Sequence, residues 1–250
     1  MKRREFRVFE SAADVALAVA EDLENAIRVD VSTRDECHVV LTGGTLGIAL
    51  LHHVGAKSDV DWSRVHFWWG DERFVNPESP DRNEGQAWEA LLNRIDVPAE
   101  NIHRMGSTAG YASADDAASS YANSLEEFFG VDFPHFDVVL LGVGPDSHVA
   151  SLFPRLPGVL ESGKTVIAVR NSPKPPPERV SLTLPSINAS RRVWVVAAGN
   201  DKAEAIRSSE SANDPSVSPV SAVHGIEETV FYVDNAAFHA EHLSRSAGEA

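Results

Sequence analysis

Phe136-Asp137-Val138-Val139-Leu140-Leu141-Gly142-Val143-Gly144-Pro145-Asp146-Ser147-His148-Val149-Ala150-Ser151-Leu152-Phe153-Pro154 governs how the rest of the chain is read. Its apolar run, Val138 to Leu141, is unbroken and ends in Gly142 and Gly144. A short continuous apolar run bounded by glycine marks a strand buried on both faces, the kind found in parallel sheets. In open α/β sheets, ligands sit just beyond the carboxyl ends of such strands. Here that position holds an acid and a histidine, Asp146 and His148. The glycines let backbone approach a ligand, and the titratable pair is sited to act on it. In an arbitrary loop, Asp-x-His is more often a cap beside a surface histidine, so the surroundings must decide.

Working outward, strand-like runs recur at 38–41, 65–69, 165–169, 180–184, 193–198 and 229–233. Between several of them lie helical patterns. Ser11 precedes Ala16, Val19, Ala20, Leu23 and Ile27, the spacing of one helix face. Residues 46–51, 85–95, 112–129 and 201–208 read as further helices. Strands alternating with helices predict an α/β fold, a mostly parallel central sheet with helices on both faces. Residues 171–177, with four prolines, read as a stiff, extended connection too short to link domains. Residues 210–219 read as a mobile loop. Residues 1–250 are expected to form a single domain.

The chain has 250 residues, and its net charge of −15 argues against nucleic acid or an anionic membrane as partner. One stretch departs from that balance. Between Arg170 and Arg207 stand seven basic residues against three acidic ones, enough to serve a small anion locally. Cys37 is the only cysteine, which excludes an intramolecular disulfide or a cysteine-rich metal site. The charged start, Met1-Lys2-Arg3-Arg4-Glu5-Phe6-Arg7, is unlike a secretory signal, and no apolar run approaches the roughly 18 residues of a membrane span. The cytoplasm is the expected compartment. The oligomeric state stays open.

Three more segments carry chemistry. Leu41-Thr42-Gly43-Gly44-Thr45 lies between a buried strand and a helix. Its exposed N–H groups, the Thr45 hydroxyl and the helix's positive end suit a phosphate. It is neither a Walker loop nor a dinucleotide fingerprint. Trp68-Trp69-Gly70-Asp71-Glu72-Arg73 again ends an apolar run, and alternation in extended backbone lets Asp71 and Arg73 point to one side. In the basic stretch, Lys174 lies in the proline loop, Arg179 opens a strand and Lys202 starts a helix. A lysine at a helix N-terminus gains nothing from the macrodipole, which favours a ligand-binding role. Several of these loops fall at strand ends, as a binding crevice requires.

These motifs resemble the family of glucosamine-6-phosphate deaminases and 6-phosphogluconolactonases over nearly the whole chain, in a modified Rossmann-like fold. The resemblance rests on Gly43-Gly44-Thr45, on 70–75 (Gly-Asp-Glu-Arg-Phe-Val), on 142–154, on 172–185 and on 199–206. It implies hydrolysis of 6-phosphoglucono-1,5-lactone without a cofactor or metal. His148 would act as the base that activates water, and Asp146 would orient it. Gly43, Gly44, Thr45, Lys174, Arg179 and Lys202 would hold the phosphate, with Asp71 and Arg73 near the sugar. Ser147 stands where the family usually has glycine.

Two other functions deserve weighing. The family's deaminases carry a glutamate a few residues after the histidine, whereas Val149 to Pro154 contain no carboxylate. A non-catalytic sugar-phosphate sensor would need a DNA-binding or partner module, for which 250 residues leave no room. A metal site joining Asp146 and His148 to His52 and His53 is disfavoured, because adjacent helical residues do not share a face.

Overall fold

The computed structural model describes residues 4–55, 59–130, 133–211 and 214–238; residues 1–3 of the charged start and 212–213 of the expected loop lie outside them. Its strands are β1 (Arg4–Phe9), β2 (Cys37–Leu41), β3 (Val65–Trp69), β4 (Asp71–Arg73), β5 (Val138–Gly142), β6 (Val166–Val169), β7 (Arg179–Leu182), β8 (Arg192–Ala197) and β9 (Glu228–Asp234). Its α-helices are α1 (Ala12–Arg34), α2 (Gly44–Leu51), α3 (Asn83–Ala90), α4 (Ala114–Phe129), α5 (Leu184–Asn188) and α6 (Ala203–Ser211).

Six strands form one sheet in the order β1-β9-β8-β5-β2-β3, and every pairing is parallel. As the apolar runs predict, β2 is buried at every position and β5 at all but its last. Successive side chains of a strand face opposite ways. Cys37 accordingly meets Asp30 of α1, with Sγ 3.9 Å from Oδ2. His38 turns to the other face and packs on Phe129 of α4, ring centroids 5.0 Å apart. Helices therefore cover both faces, and the buried apolar residues form one contiguous core. From β2 the chain steps outward to β3, whereas from β5 it steps the other way to β8 and β9. The strand order reverses between β2 and β5, and the crevice at such a reversal is where ligands bind.

Two expected strands do not join this sheet. The runs at 165–169 and 180–184 became β6 and β7, which pair antiparallel with each other and with β4 in a separate sheet ordered β4-β7-β6. An apolar run encodes burial but not the direction of its partner. Gly70 joins the two sheets: its N–H donates to Leu41 O at 3.1 Å, and its carbonyl accepts from Leu182 N at 2.8 Å. The edge strand β1 gave no apolar run, because Arg4, Glu5 and Arg7 interrupt it. The proline loop is folded rather than extended. Prolines lack the N–H that would pair neighbouring carbonyls. Arg179 supplies donors instead, to Pro176 O (3.0 Å), Lys174 O (3.0 Å) and Pro175 O (3.1 Å).

At the amino edge of the sheet, His38, His66 and His103 stack in sequence with Trp68, whose ring lies 3.6 Å from that of His103. Burial, then the neighbouring His66 and His38, pushes His103 down to about 4, and burial lowers His38 and His66 as well. Glu36 faces His38 and His66 at 3.3 and 3.7 Å, and Asp137 and Arg34 also act on His38. The folded values lie below the ordinary histidine value of about 6.5, so the unfolded chain takes up protons first as pH falls. Stability should therefore drop as pH falls from about 6.5 towards 4, on the order of 1–2 kcal/mol once partial exposure is discounted. Thermal melts of the wild type and of His103→Phe, which keeps the stacking, check this. The variant should melt with a shallower dependence on acid, and parallel curves would contradict it.

Candidate active site

The carboxyl ends of β2 and β5 meet directly. Gly142 N donates to Thr42 Oγ1 at 3.1 Å, which ties the two following loops together at the strand-order reversal. After β2, Gly43 caps α2 and presses against Asn83: a Cβ at Gly43 would lie 1.9 Å from Asn83 Oδ1. Asn83 in turn donates to Asp71 O at 2.8 Å. Glu72, almost wholly buried, accepts from Asn83 N and Glu84 N, both at 2.8 Å, and so caps α3. The seat formed by Gly43, Gly44 and Thr45 is thus braced from β4 and α3. Nothing in the sequence pattern announced Asn83.

After β5 the chain turns back on itself, with Gly144 N donating to His148 O at 2.9 Å. His148 Nδ1 and Asp146 Oδ1 lie 2.6 Å apart. A side chain at 144 would displace this pair, because a Cβ there would sit 2.0 Å from His148 Nδ1 and 2.4 Å from Asp146 Oδ1. Burial raises the Asp146 carboxyl, but the hydrogen bond and charge of His148, followed by Lys174, outweigh it and hold it at about 2. Asp146 is therefore an anion at any working pH and accepts the imidazole's Nδ1–H. That leaves Nε2 as the basic nitrogen, the orientation a general base needs. Phe153 supports the ring from 4.5 Å and lies 6.0 Å from the Arg179 guanidinium carbon, so it spaces base from cation. Ser147 adopts φ 70°, the left-handed conformation that a glycine would take without cost.

The basic stretch divides in two. Arg191 and Arg192 pair with Asp30 at 3.0 and 2.6 Å, at the amino edge of the sheet. Arg170 pairs with Asp115 and Arg207 with Glu204, both at the surface. Lys174, Arg179 and Lys202 converge instead beside the Asp146 turn. Lys174 Nζ lies 3.9 Å from Asp146 Oδ1. Its ammonium is lowered by burial, and, after the opposing pull of Asp146, by the charges of Lys202 and Arg179. Mutual repulsion among three cations is relieved by an anion. Lys202 ends a 3₁₀ turn that leads into α6, with Nζ 3.0 Å from Asp201.

Asp71 and Arg73 do not pair with each other. Asp71 is buried and accepts from Ser151 Oγ at 2.6 Å, with Arg179 Nη1 at 3.8 Å. Arg73 donates to Asp81 O and lines a cavity of about 490 Å³ with Gly44, Thr45, His52 and Gln86. Gln86 escaped sequence reasoning and His52 was weighed only as a metal ligand, while Ser151 and Phe153 were given no role although they lie within the opening motif. A larger groove of about 1200 Å³ between α4 and residues 157–168 is lined by Asp115, Glu126, Glu127 and Glu161, an unsuitable setting for an anion. Among the described residues, one trio could in principle ligate a metal, Asp30, Cys37 and Asp137. Arginines already neutralise its carboxylates, and burial pushes the Cys37 thiol well up. No helix of the described residues is long and apolar enough to cross a membrane.

Comparison with known proteins gives this geometry its relatives. The 6-phosphogluconolactonase of Streptomyces coelicolor is 44% identical over 243 residues, covering 93% of this chain and 92% of that protein. That of Mycobacterium tuberculosis is 41% identical over 232 residues, covering 91% and 94%. The crystal structure of 6-phosphogluconolactonase from Thermotoga maritima superposes with a TM-score of 0.81 at 26% identity, covering 93% of this chain and all of that one. A monomeric glucosamine-6-phosphate deaminase, at 16% identity and a TM-score of 0.77, shares the fold. The family model described as "Glucosamine-6-phosphate isomerases/6-phosphogluconolactonase" matches residues 10–232, spanning the braced glycine seat, the Asp146–His148 turn and the three converging cations, and the chain belongs to that family.

Proposed function

We propose that this protein hydrolyses 6-phospho-D-glucono-1,5-lactone to 6-phosphogluconate, as a pentose phosphate pathway enzyme working in the cytoplasm. One observation supports the reading above the others: a histidine fixed by an ionised aspartate, with its second nitrogen left for substrate, beside three cations. The names of relatives more than 40% identical over nine tenths of the chain agree with it. Lys174, Arg179 and Lys202, with the N–H groups at Gly43, Gly44 and Thr45, would hold the phosphate. Remote binding of this kind places the lactone carbonyl without spending the reacting groups. His148 Nε2 takes a proton from water as its oxygen attacks the carbonyl carbon. The imidazolium then returns that proton to the ring oxygen as the ester C–O bond breaks, yielding the hydroxyacid. Asp146 stabilises the imidazolium between these steps. No step calls for a metal or a redox cofactor.

Purified protein should accelerate acid release from freshly prepared lactone in the presence of EDTA and without added cofactor. It should liberate no ammonia from glucosamine 6-phosphate, since residues 149–154 offer no carboxylate for that chemistry. Ammonia release would replace this reading with the deaminase, loss of activity in EDTA would bring in a metal, and tight binding without turnover would indicate a sensor.

A further inference from the structure

Ser147 is held where a residue with a Cβ is disfavoured, between the two members of the Asp146–His148 pair. Its side chain is buried and reaches α6. Ser147 Oγ lies 3.0 Å from Ser208 Oγ on α6, which lies 2.8 Å from Ser218 Oγ. Ser208 Oγ also donates to Ala205 O at 2.9 Å, so the chain of hydroxyls is anchored to helix backbone. The same turn is gripped by backbone: Val220 N donates to Ser147 O at 3.1 Å and Arg155 N to Ser216 O at 2.7 Å. The helix that receives the Ser147 hydroxyl is the one that Lys202 leads into.

We propose that Ser147 is a positioning residue whose hydroxyl, clamped through Ser208 and Ser218, holds the left-handed turn that aims His148. Glycine occupies this conformation freely. Serine needs an external hold, and the three hydroxyls provide it. The clamp also ties the turn that carries the base to α6, the helix that Lys202 leads into. This deepens the lactonase reading and rests on it for its kinetic test.

The clamp predicts a dependence on background. Ser208→Ala in the wild-type chain, and Ser147→Ala, should each lower kcat about 5-fold with KM within twofold, the scale of one lost hydrogen bond. The double change should cost no more than either alone. On a Ser147→Gly background, Ser208→Ala should cost nothing, because the turn no longer needs holding. A purely structural role would lower Tm in all backgrounds and leave kcat per folded molecule unchanged. Equal losses from Ser208→Ala in both backgrounds, or none in either, would overturn the proposal. NMR of the His148 Nδ1–H proton separates this from failure of the lactonase reading. Ser208→Ala should shift or broaden that signal in the wild-type chain alone, whatever reaction the protein performs, and an unmoved signal would also count against the clamp.

Discussion

Replacing His148 by alanine should lower kcat roughly 10²-fold or more while leaving KM for the lactone within a few-fold, the usual cost of losing a general base. The expectation follows from geometry. Nδ1 is committed to Asp146 at 2.6 Å, so the base is Nε2, and no other described imidazole shares the turn. His38, His66 and His103 stack at the opposite edge of the sheet, and His52 caps the C-terminus of α2. Asparagine at 148 is the companion test, since it keeps polarity and much of the volume but cannot take up a proton. Asp146→Asn should also lower kcat strongly, because an amide that donates to Nδ1 leaves the proton on Nε2, the wrong tautomer for a base. Lactones hydrolyse spontaneously, so initial rates must be corrected for the uncatalysed reaction. If either His148 variant retains near-normal kcat, His148 is not the base, and the Asp146–His148 pair is merely a structural cap.

Much of this site was legible in the sequence because its parts are local. The run Val138 to Leu141 and the following Gly142 and Gly144 specify a buried strand and a close turn from neighbouring residues alone. The Asp146–His148 contact spans two positions. Contacts between distant residues left no such trace. Ser151 reaches Asp71 across 80 positions of sequence, and its role is visible only once β4 and the β5 turn are brought together. The three-residue strand β4 is too short to show a period, so the antiparallel sheet it seeds was read as part of the parallel one. Within the basic stretch, sequence pattern alone does not tell which cations reach the site. Its seven cations share one stretch of sequence, but Arg191 and Arg192 stand at the amino end of β8, at the amino edge, while Lys202 emerges at the carboxyl edge. Charge density along the chain cannot report which end of a strand a residue will occupy. Arg179 has a double character for the same reason: its partners are carbonyls of a loop whose folding the prolines concealed.

That double character makes Lys202 and Arg179 separable by experiment. Lys202→Ala should raise KM about 10-fold or more with little change in Tm, since a charge-assisted hydrogen bond to phosphate is worth roughly 1.5–3 kcal/mol. Its only described ion pair is with the exposed neighbour Asp201, so the fold loses almost nothing. Arg179→Ala should raise KM comparably and lower Tm as well. It removes the donors to Lys174 O, Pro175 O and Pro176 O and strips buried Asp71 of its nearest cation. Unpairing buried groups of this kind costs on the order of 2–4 kcal/mol. Arg179→Lys is the discriminating control. Lysine keeps the charge but not the planar fork that reaches several carbonyls, so it should recover part of the binding and little of the stability. Inorganic phosphate and sulfate should compete with the lactone in the wild type and compete less well in the Lys202 variant. If Lys202→Ala leaves both KM and phosphate inhibition unchanged, the phosphate is held elsewhere. The Arg73 cavity beside Gly44 and Thr45 then becomes the site to test, because there a cation meets the start of α2.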